Sequence, residues 1–319
     1  MIDQEASLIR LTSKEAYHTP VMVNEALQGL EVKPGGLYID CTVGDGGHAE
    51  AILGFRDASC SLLGLDLDDS AIRASSERLE RYGSRAILIR TSYVEAWDAA
   101  TVHGFVPCDG VLMDLGLSSR QLDGAERGFT FREDQPLDMR FDQGQKFSAA
   151  DVVNEYSERH LADVIFSYGE ERSARRIATA IVKERPISSS LALAQLLSRV
   201  MGGRRGKIHP ATKTFQALRI EVNNELENVK QGLNNVIKLL GPRGRLAVIA
   251  YHSLEDRIVK TFLKRAAAAC VCPPGIPSCV CGQTQELRLI SKKPITASIE
   301  EVQKNPRSRS ARLRVAEHV

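Results

Sequence analysis

The chain has 319 residues, 43% of them apolar, and 42 basic against 40 acidic side chains leave a formal charge of +2. That is about two domains of roughly 150 residues, and the balanced charge excludes a histone-like or polyacidic protein, so any nucleic-acid signal has to be local. Seven cysteines argue against a secreted disulfide framework, Met1 to Glu5 leads into no apolar signal core, and no run nears the roughly 18 apolar residues of a membrane span, so a soluble cytoplasmic protein is expected.

Thr19-Pro20 reads as a helix N-cap with Pro at the first helical position, opening a helix to about Leu30. Leu37 to Cys41 is a strand, and Gly44 to Gly47 a glycine turn into a helix ending near Gly54. Ser61 to Leu65 is the next strand, and Asp69 caps a helix to about Tyr82. Ala86 to Ile89 and Gly110 to Met113 are further strands, with a helix near Val94 to Val102 between them. Continuous apolar strands alternating with helices predict a parallel sheet covered on both faces.

From about Leu117 to Pro210 helical stretches such as Ser157 to Phe166 and Ser173 to Lys183 dominate. Phe215, Leu218, Val222, Leu226, Val229, Leu233, Val236 and Leu240 then step by three or four, which predicts one long amphipathic helix. Gly241-Pro242-Arg243-Gly244 stops it, Arg245 to Ala250 is a fifth strand, and a helix from Leu254 to Ala268 follows. The simplest topology is a helical insert between the fourth and fifth strands of one sheet; two sequential domains are the alternative. The corresponding division is a core in two parts, 1–120 and 211–319, holding an insert at 121–210 that recognises substrate.

Gly44-x-Gly46-x-x-Ala49 lies between a strand and a helix, and Asp66 follows 20 residues beyond Gly46. Glycines there let backbone approach a ligand, and the carboxylate suits ribose hydroxyls, so a nucleoside-containing cofactor is expected. A nicotinamide dinucleotide would bring an anionic pyrophosphate, yet the strand ends carry Asp40, Asp45, Asp66, Asp68, Asp69 and Asp114. Such a rim suits a cationic ligand with a ribose and no phosphate, which is S-adenosylmethionine. The dehydrogenase reading is the enzymatic rival.

Several motifs resemble those of the small-subunit ribosomal RNA methyltransferase H family, also called MraW. They are His18-Thr19-Pro20-Val21, Gly46-Gly47-His48, Asp114-Leu115-Gly116-Leu117-Ser118-Ser119, Ala125-Glu126-Arg127-Gly128-Phe129 and Pro136-Leu137-Asp138-Met139-Arg140. Tyr168-Gly169-Glu170-Glu171-Arg172, Thr214-Phe215-Gln216-Ala217-Leu218-Arg219, His252-Ser253-Leu254-Glu255-Asp256-Arg257 and Asn305-Pro306-Arg307-Ser308-Arg309-Ser310 continue the likeness to about residue 316. The resemblance implies a Rossmann-like α/β methyltransferase sheet with an inserted helical domain. It implies methyl transfer from S-adenosylmethionine to N4 of cytidine 1402 in 16S rRNA, within the small ribosomal subunit. The family's cofactor contacts fall on Gly46, Gly47, His48, Asp66, Asp114 and Gln121, and its adenine-side aromatic on Tyr93. A non-catalytic RNA-binding assembly factor that keeps the fold is the rival from another class.

An exocyclic cytosine amine is a poor nucleophile, so the protein must align it with the methyl group and accept its hydrogens. Asp114 or a nearby carbonyl is the expected acceptor, with Tyr251 and His252 lining the pocket. The alternatives are a cofactor contact alone for Asp114 and a turn-orienting role for His252. Phe129, Phe131 and Tyr251 are candidate platforms for an unstacked base. From Glu170 to Phe215 there are ten basic residues against three acidic, Arg204, Arg205 and Lys207 among them, and Glu286 to Val319 adds eight against four. These segments are expected to meet RNA phosphates. Cys270-x-Cys272 and Cys279-x-Cys281 present four thiols, for zinc or simply reduced; the tight spacing favours reduced thiols and no metal.

Overall fold

The five apolar runs form strands: β1 (Leu37–Asp40), β2 (Ser61–Asp66), β3 (Ala86–Arg90), β4 (Cys108–Asp114) and β5 (Leu240–Ala250). The structure is a computed structural model that describes residues 19–55, 59–118, 127–203, 209–273 and 278–319. His18, Ser119, Arg120, Gln121, Arg204, Arg205 and Lys207 lie outside them. The strands pair in parallel in the order β3-β2-β1-β4-β5. The chain thus builds outward from β1 to β3 and resumes on the other side with β4. That reversal opens a crevice at the carboxyl ends of β1 and β4.

Side chains alternate between the two faces. Ile39, Leu63, Leu65, Val111, Met113, Leu246 and Val248 pack on one face against α4 (Ala96–Val102), α10 (Glu225–Val236) and α11 (Ser253–Ala266). Tyr38, Leu62, Leu112, Ala247 and Ile249 pack on the other against α1 (Val23–Leu30), α2 (Gly47–Leu53) and the end of α3 (Asp69–Leu79). Both faces are covered, so the strands read as unbroken apolar runs. β8 (Arg312–His318) then adds antiparallel to β5, with β6 (Leu287–Leu289) and β7 (Ile295–Thr296) pairing to it. These three strands have no counterpart in the sequence reading.

Between β4 and β5 lie α5 (Ala149–Glu155), α6 (Glu158–Gly169), α7 (Ala174–Glu184) and α8 (Ser190–Met201), followed by α9 (Thr212–Asn223). Their apolar faces, with Phe129, Leu137 and Met139, form a second core separate from those of the sheet. Asp68–Arg127 and Arg90–Asp142 ion pairs tie this layer to the strand ends.

Four local expectations are corrected. The first helix begins at Val23 with Met22 at its N-cap, rather than at Pro20 after a Thr19 cap, because Met22 takes a left-handed conformation (φ 55°) and its N–H donates to Glu301 at 2.7 Å. Asp68, not Asp69, caps α3, accepting from the Ser70 amide at 2.9 Å. The single long helix is two: Asn224 at φ 48° breaks it into α9 and α10, a conformation that Asn tolerates better than most residues. Phe215, Leu218 and Val222 accordingly join the helical core, while Val229, Leu233 and Val236 join the sheet. Gly241 to Gly244 does not precede the fifth strand but forms a bulge within it, where pairing jumps from Cys108–Leu240 to Gly110–Arg245. Among the described residues, no helix is long and apolar enough to cross a membrane.

Candidate active site

At the carboxyl ends of β1, β2 and β4 the apolar runs give way to Asp40, Asp66 and Asp114. The turn after β1 supplies the floor of a cleft of about 420 Å³. Gly46 adopts φ 77°, and a Cβ on it would sit 3.2 Å from that of Ser75, so this turn needs glycine to pass so close to α3. The Gly44 amide donates to Asp66 Oδ2 at 3.0 Å, and the Asp68 amide to Asp66 Oδ1 at 2.9 Å. Asp66 lines the cleft, and burial pushes its carboxyl up to about 6 despite these donors.

Asp114 ends β4. Its Oδ1 accepts from the Tyr251 hydroxyl at 2.9 Å, and its own amide donates to Thr42 Oγ1 at 2.7 Å. Burial pushes this carboxyl up to about 7, with the Tyr251 hydrogen bond opposing the shift and Glu255 adding to it. His48 Nε2 lies 2.9 Å from the Val21 carbonyl, which makes that nitrogen the donor. Its Nδ1 lone pair therefore faces Asp114 Oδ2, 3.6 Å away, and burial holds the imidazole below its ordinary range. Asp40 departs from the expected rim. It is 1% exposed and lies outside the cleft lining, and its Oδ2 has no hydrogen-bond partner among the described residues. Burial pushes it up to about 6, with His48 working against the shift.

Gly44, Gly47, His48, Asp66, Tyr93, Asp114 and Tyr251 line one cleft, and Gly46 shapes its turn. Tyr93 stands in the 3-10 turn after β3, its phenol held far above its usual range by burial and by Glu225 and Glu255. A Cβ on Gly232 would come within 2.5 Å of the Tyr93 ring. Gly232→Ala is expected to cost about 1–3 kcal/mol by overpacking, a loss that urea denaturation would register.

His252 does not line the cleft. It caps α11, accepting from the Glu255 amide at 3.4 Å, and its Nε2 lies 3.1 Å from Glu255 Oε1 without hydrogen-bond geometry. Phe129 is buried against Phe141, and Phe131 stacks on His209 at 4.5 Å, so both belong to the helical core. Among the described residues, the aromatic ring from this layer that reaches the cleft is Phe141. Asn223, at the end of α9, accepts from the Phe141 amide and donates to the Met139 carbonyl, both at 2.7 Å. Gln121 lies outside the described residues.

Two further cleft residues carry no motif of their own that assigns them a role. Arg219 on α9 makes a two-pronged ion pair with Glu225 on α10, at 2.7 and 2.8 Å. Glu255 is 1% exposed; burial opposes its ionisation, but His252 and Arg219 outweigh that and hold it below its ordinary range. Ligating atoms of Glu225, His252 and Glu255 lie within 4.8 Å of one another, yet Arg219 already provides the cation there. A spacing of six on what read as one helix concealed the Arg219–Glu225 pair.

The basic segments divide. Arg172, Arg175, Lys183 and Arg199 are exposed, whereas Arg185 donates inward to the Val153 and Tyr156 carbonyls. Near the end of the chain Arg312 and Arg314 hold Asp256, and Arg288 pairs with Glu317. Arg307 lines the cleft.

The cleft pairs backbone glycines and apolar walls with Asp66 and Asp114, whose ionisation burial opposes and a bound cation would favour, an arrangement suited to a cationic nucleoside. Residues 15–319 match a family described as the MraW methylase family. The chain is 51% identical over 302 residues to "Ribosomal RNA small subunit methyltransferase H" of Dehalococcoides mccartyi strain 195, covering 95% of this chain and 86% of that one. It is 50% identical over 305 residues to the protein of the same name in Thermomicrobium roseum, covering 95% and 94%. A crystal structure titled as a putative rRNA-methylase from Clostridium thermocellum aligns with TM-score 0.43 and 13% identity, over 95% of this chain and 100% of that chain.

Proposed function

Because the chain belongs to the MraW methylase family, we propose that it methylates small-subunit ribosomal RNA, with S-adenosylmethionine as donor and N4 of cytidine 1402 in 16S rRNA as acceptor. The observation that carries this reading is the Asp114–Tyr251 pair, an acceptor at the strand-end position beside a glycine turn and an acid-lined cleft.

The bound cofactor supplies an activated methyl group on a cationic sulfur. The chain's own residues align and hold. Gly44 to Gly47 bring backbone against the nucleoside, and Asp66, already fixed by two amides, offers its remaining lone pairs to ribose hydroxyls. Tyr93 walls the adenine side. Tyr251 fixes one oxygen of Asp114, leaving the other to accept an amine hydrogen as charge develops on nitrogen. Phe141 offers a ring to a base taken out of its stack. Exposed Arg172, Arg175 and Lys183 add sequence-blind attraction to phosphates.

A carboxylate faces charge developing on the amine far better than a neutral carboxyl, and Asp114 loses its proton only near pH 7 in the free protein. The expected outcome is that kcat/KM for methyl transfer rises with pH through about 7 and then levels. A profile flat from pH 5.5 to 8 would remove Asp114 from that role. The direct test of the reading is transfer from labelled S-adenosylmethionine to small subunits lacking the modification, followed by nucleoside analysis. N4-methylcytidine at the decoding site is the result expected. Cofactor binding without transfer would leave the rRNA reading without support and favour the assembly factor.

A further inference from the structure

Between α11 and β6 the chain makes an excursion pinched at its base, where the Glu286 amide donates to the Ala266 carbonyl at 2.9 Å. Among the described residues of this loop no apolar side chain is buried: Val271 is 43% exposed and Val280 78%. Its four cysteines nonetheless converge. The Cys270–Cys279, Cys272–Cys279, Cys279–Cys281 and Cys270–Cys281 sulfur separations are 3.5, 3.9, 3.4 and 3.8 Å, and all four sulfurs lie within 4.8 Å of one another.

We propose that Cys270, Cys272, Cys279 and Cys281 bind one structural zinc ion. A zinc–sulfur bond of about 2.3 Å in a tetrahedron requires sulfurs about 3.8 Å apart, and the observed separations cluster around that length. They are far longer than a disulfide, at about 2.05 Å, and every cysteine is free. An iron–sulfur cluster would hold its thiolates farther apart than a single ion does, since the cluster itself lies between them. The tight Cys-x-Cys spacing is accommodated locally. The Cys272 amide donates to Cys270 Sγ at 3.4 Å and the Val271 amide to Cys281 Sγ at 3.5 Å, so backbone dipoles face sulfurs that carry charge when metal is bound.

Binding breaks four S–H bonds, forms four Zn–S bonds and releases the protons to solvent. Four protein ligands leave no open position, so the ion clips the loop and takes no part in methyl transfer. It does for this excursion what an apolar cluster does elsewhere in the fold.

The test is metal analysis of the full chain purified under reducing conditions without chelator. About one zinc per chain is expected, falling well below that in the Cys272→Ser/Cys279→Ser double variant. To keep the test independent of that variant's folding, the wild-type chain is also stripped and reloaded with cobalt(II). Strong visible bands of a tetrahedral thiolate site, displaced by one equivalent of zinc, support the proposal. Well under one zinc per chain, before and after incubation of the reduced chain with zinc sulfate, overturns it. So does a weak octahedral cobalt spectrum, or full zinc retention by the double variant.

Discussion

Asp114→Asn is expected to lower turnover at saturating S-adenosylmethionine by about 10²–10³-fold, the range for loss of one preorganised group facing developing charge. Asn keeps the size and can still meet the Tyr251 hydroxyl, so the cleft retains its shape. It presents no carboxylate to the amine and no group that ionises near pH 7, so the rise in kcat/KM with pH should vanish with the rate. Single-turnover kinetics with the cofactor titrated separately would divide binding from chemistry. Normal turnover at saturating cofactor, with only a raised KM, would make Asp114 a cofactor contact and nothing more.

Arg219→Ala is expected to be the more damaging change to stability, at about 3–5 kcal/mol. The guanidinium is the cation for Glu225, which is 5% exposed, and it helps hold Glu255 in its ionised form. Removing it strands buried negative charge against Tyr93, which already feels both carboxylates. The Arg219→Met/Glu225→Leu double variant should recover much of the loss, because a pair replaced by apolar side chains leaves less charge uncompensated. Urea denaturation of both variants measures this. Equal destabilisation would show that packing, not unpaired charge, sets the cost.

What the sequence revealed and what it concealed follow from burial. β1 to β5 are covered on both faces, so each appears as an unbroken apolar run, and the glycine turn stands out because it joins one of them to a helix. The antiparallel side did not stand out. β6 and β7 are three and two residues long, and β8 buries Arg314 and Glu317 among its apolar residues, so charge interrupts the pattern. The α9–α10 break was hidden because apolar residues keep their helical spacing across Asn224. Residues of the glycine turn and the strand ends were legible as site candidates from position alone. Phe141 and Arg219 were not, because contacts across the fold bring them to the cleft.

The left-handed residue at Asn224 has a mechanical consequence. On an unbroken helix at 3.6 residues per turn, positions six apart point about 120° away from each other, and Arg219 would never meet Glu225. The break folds one helix end back onto the next, so that the two side chains clasp across it. One partner is anchored in the helical layer through α9 and the other on the sheet through α10. The clasp therefore works as a bolt between two plates. Both partners also line the cleft, so the bond that fixes one layer against the other also fixes a wall of the pocket.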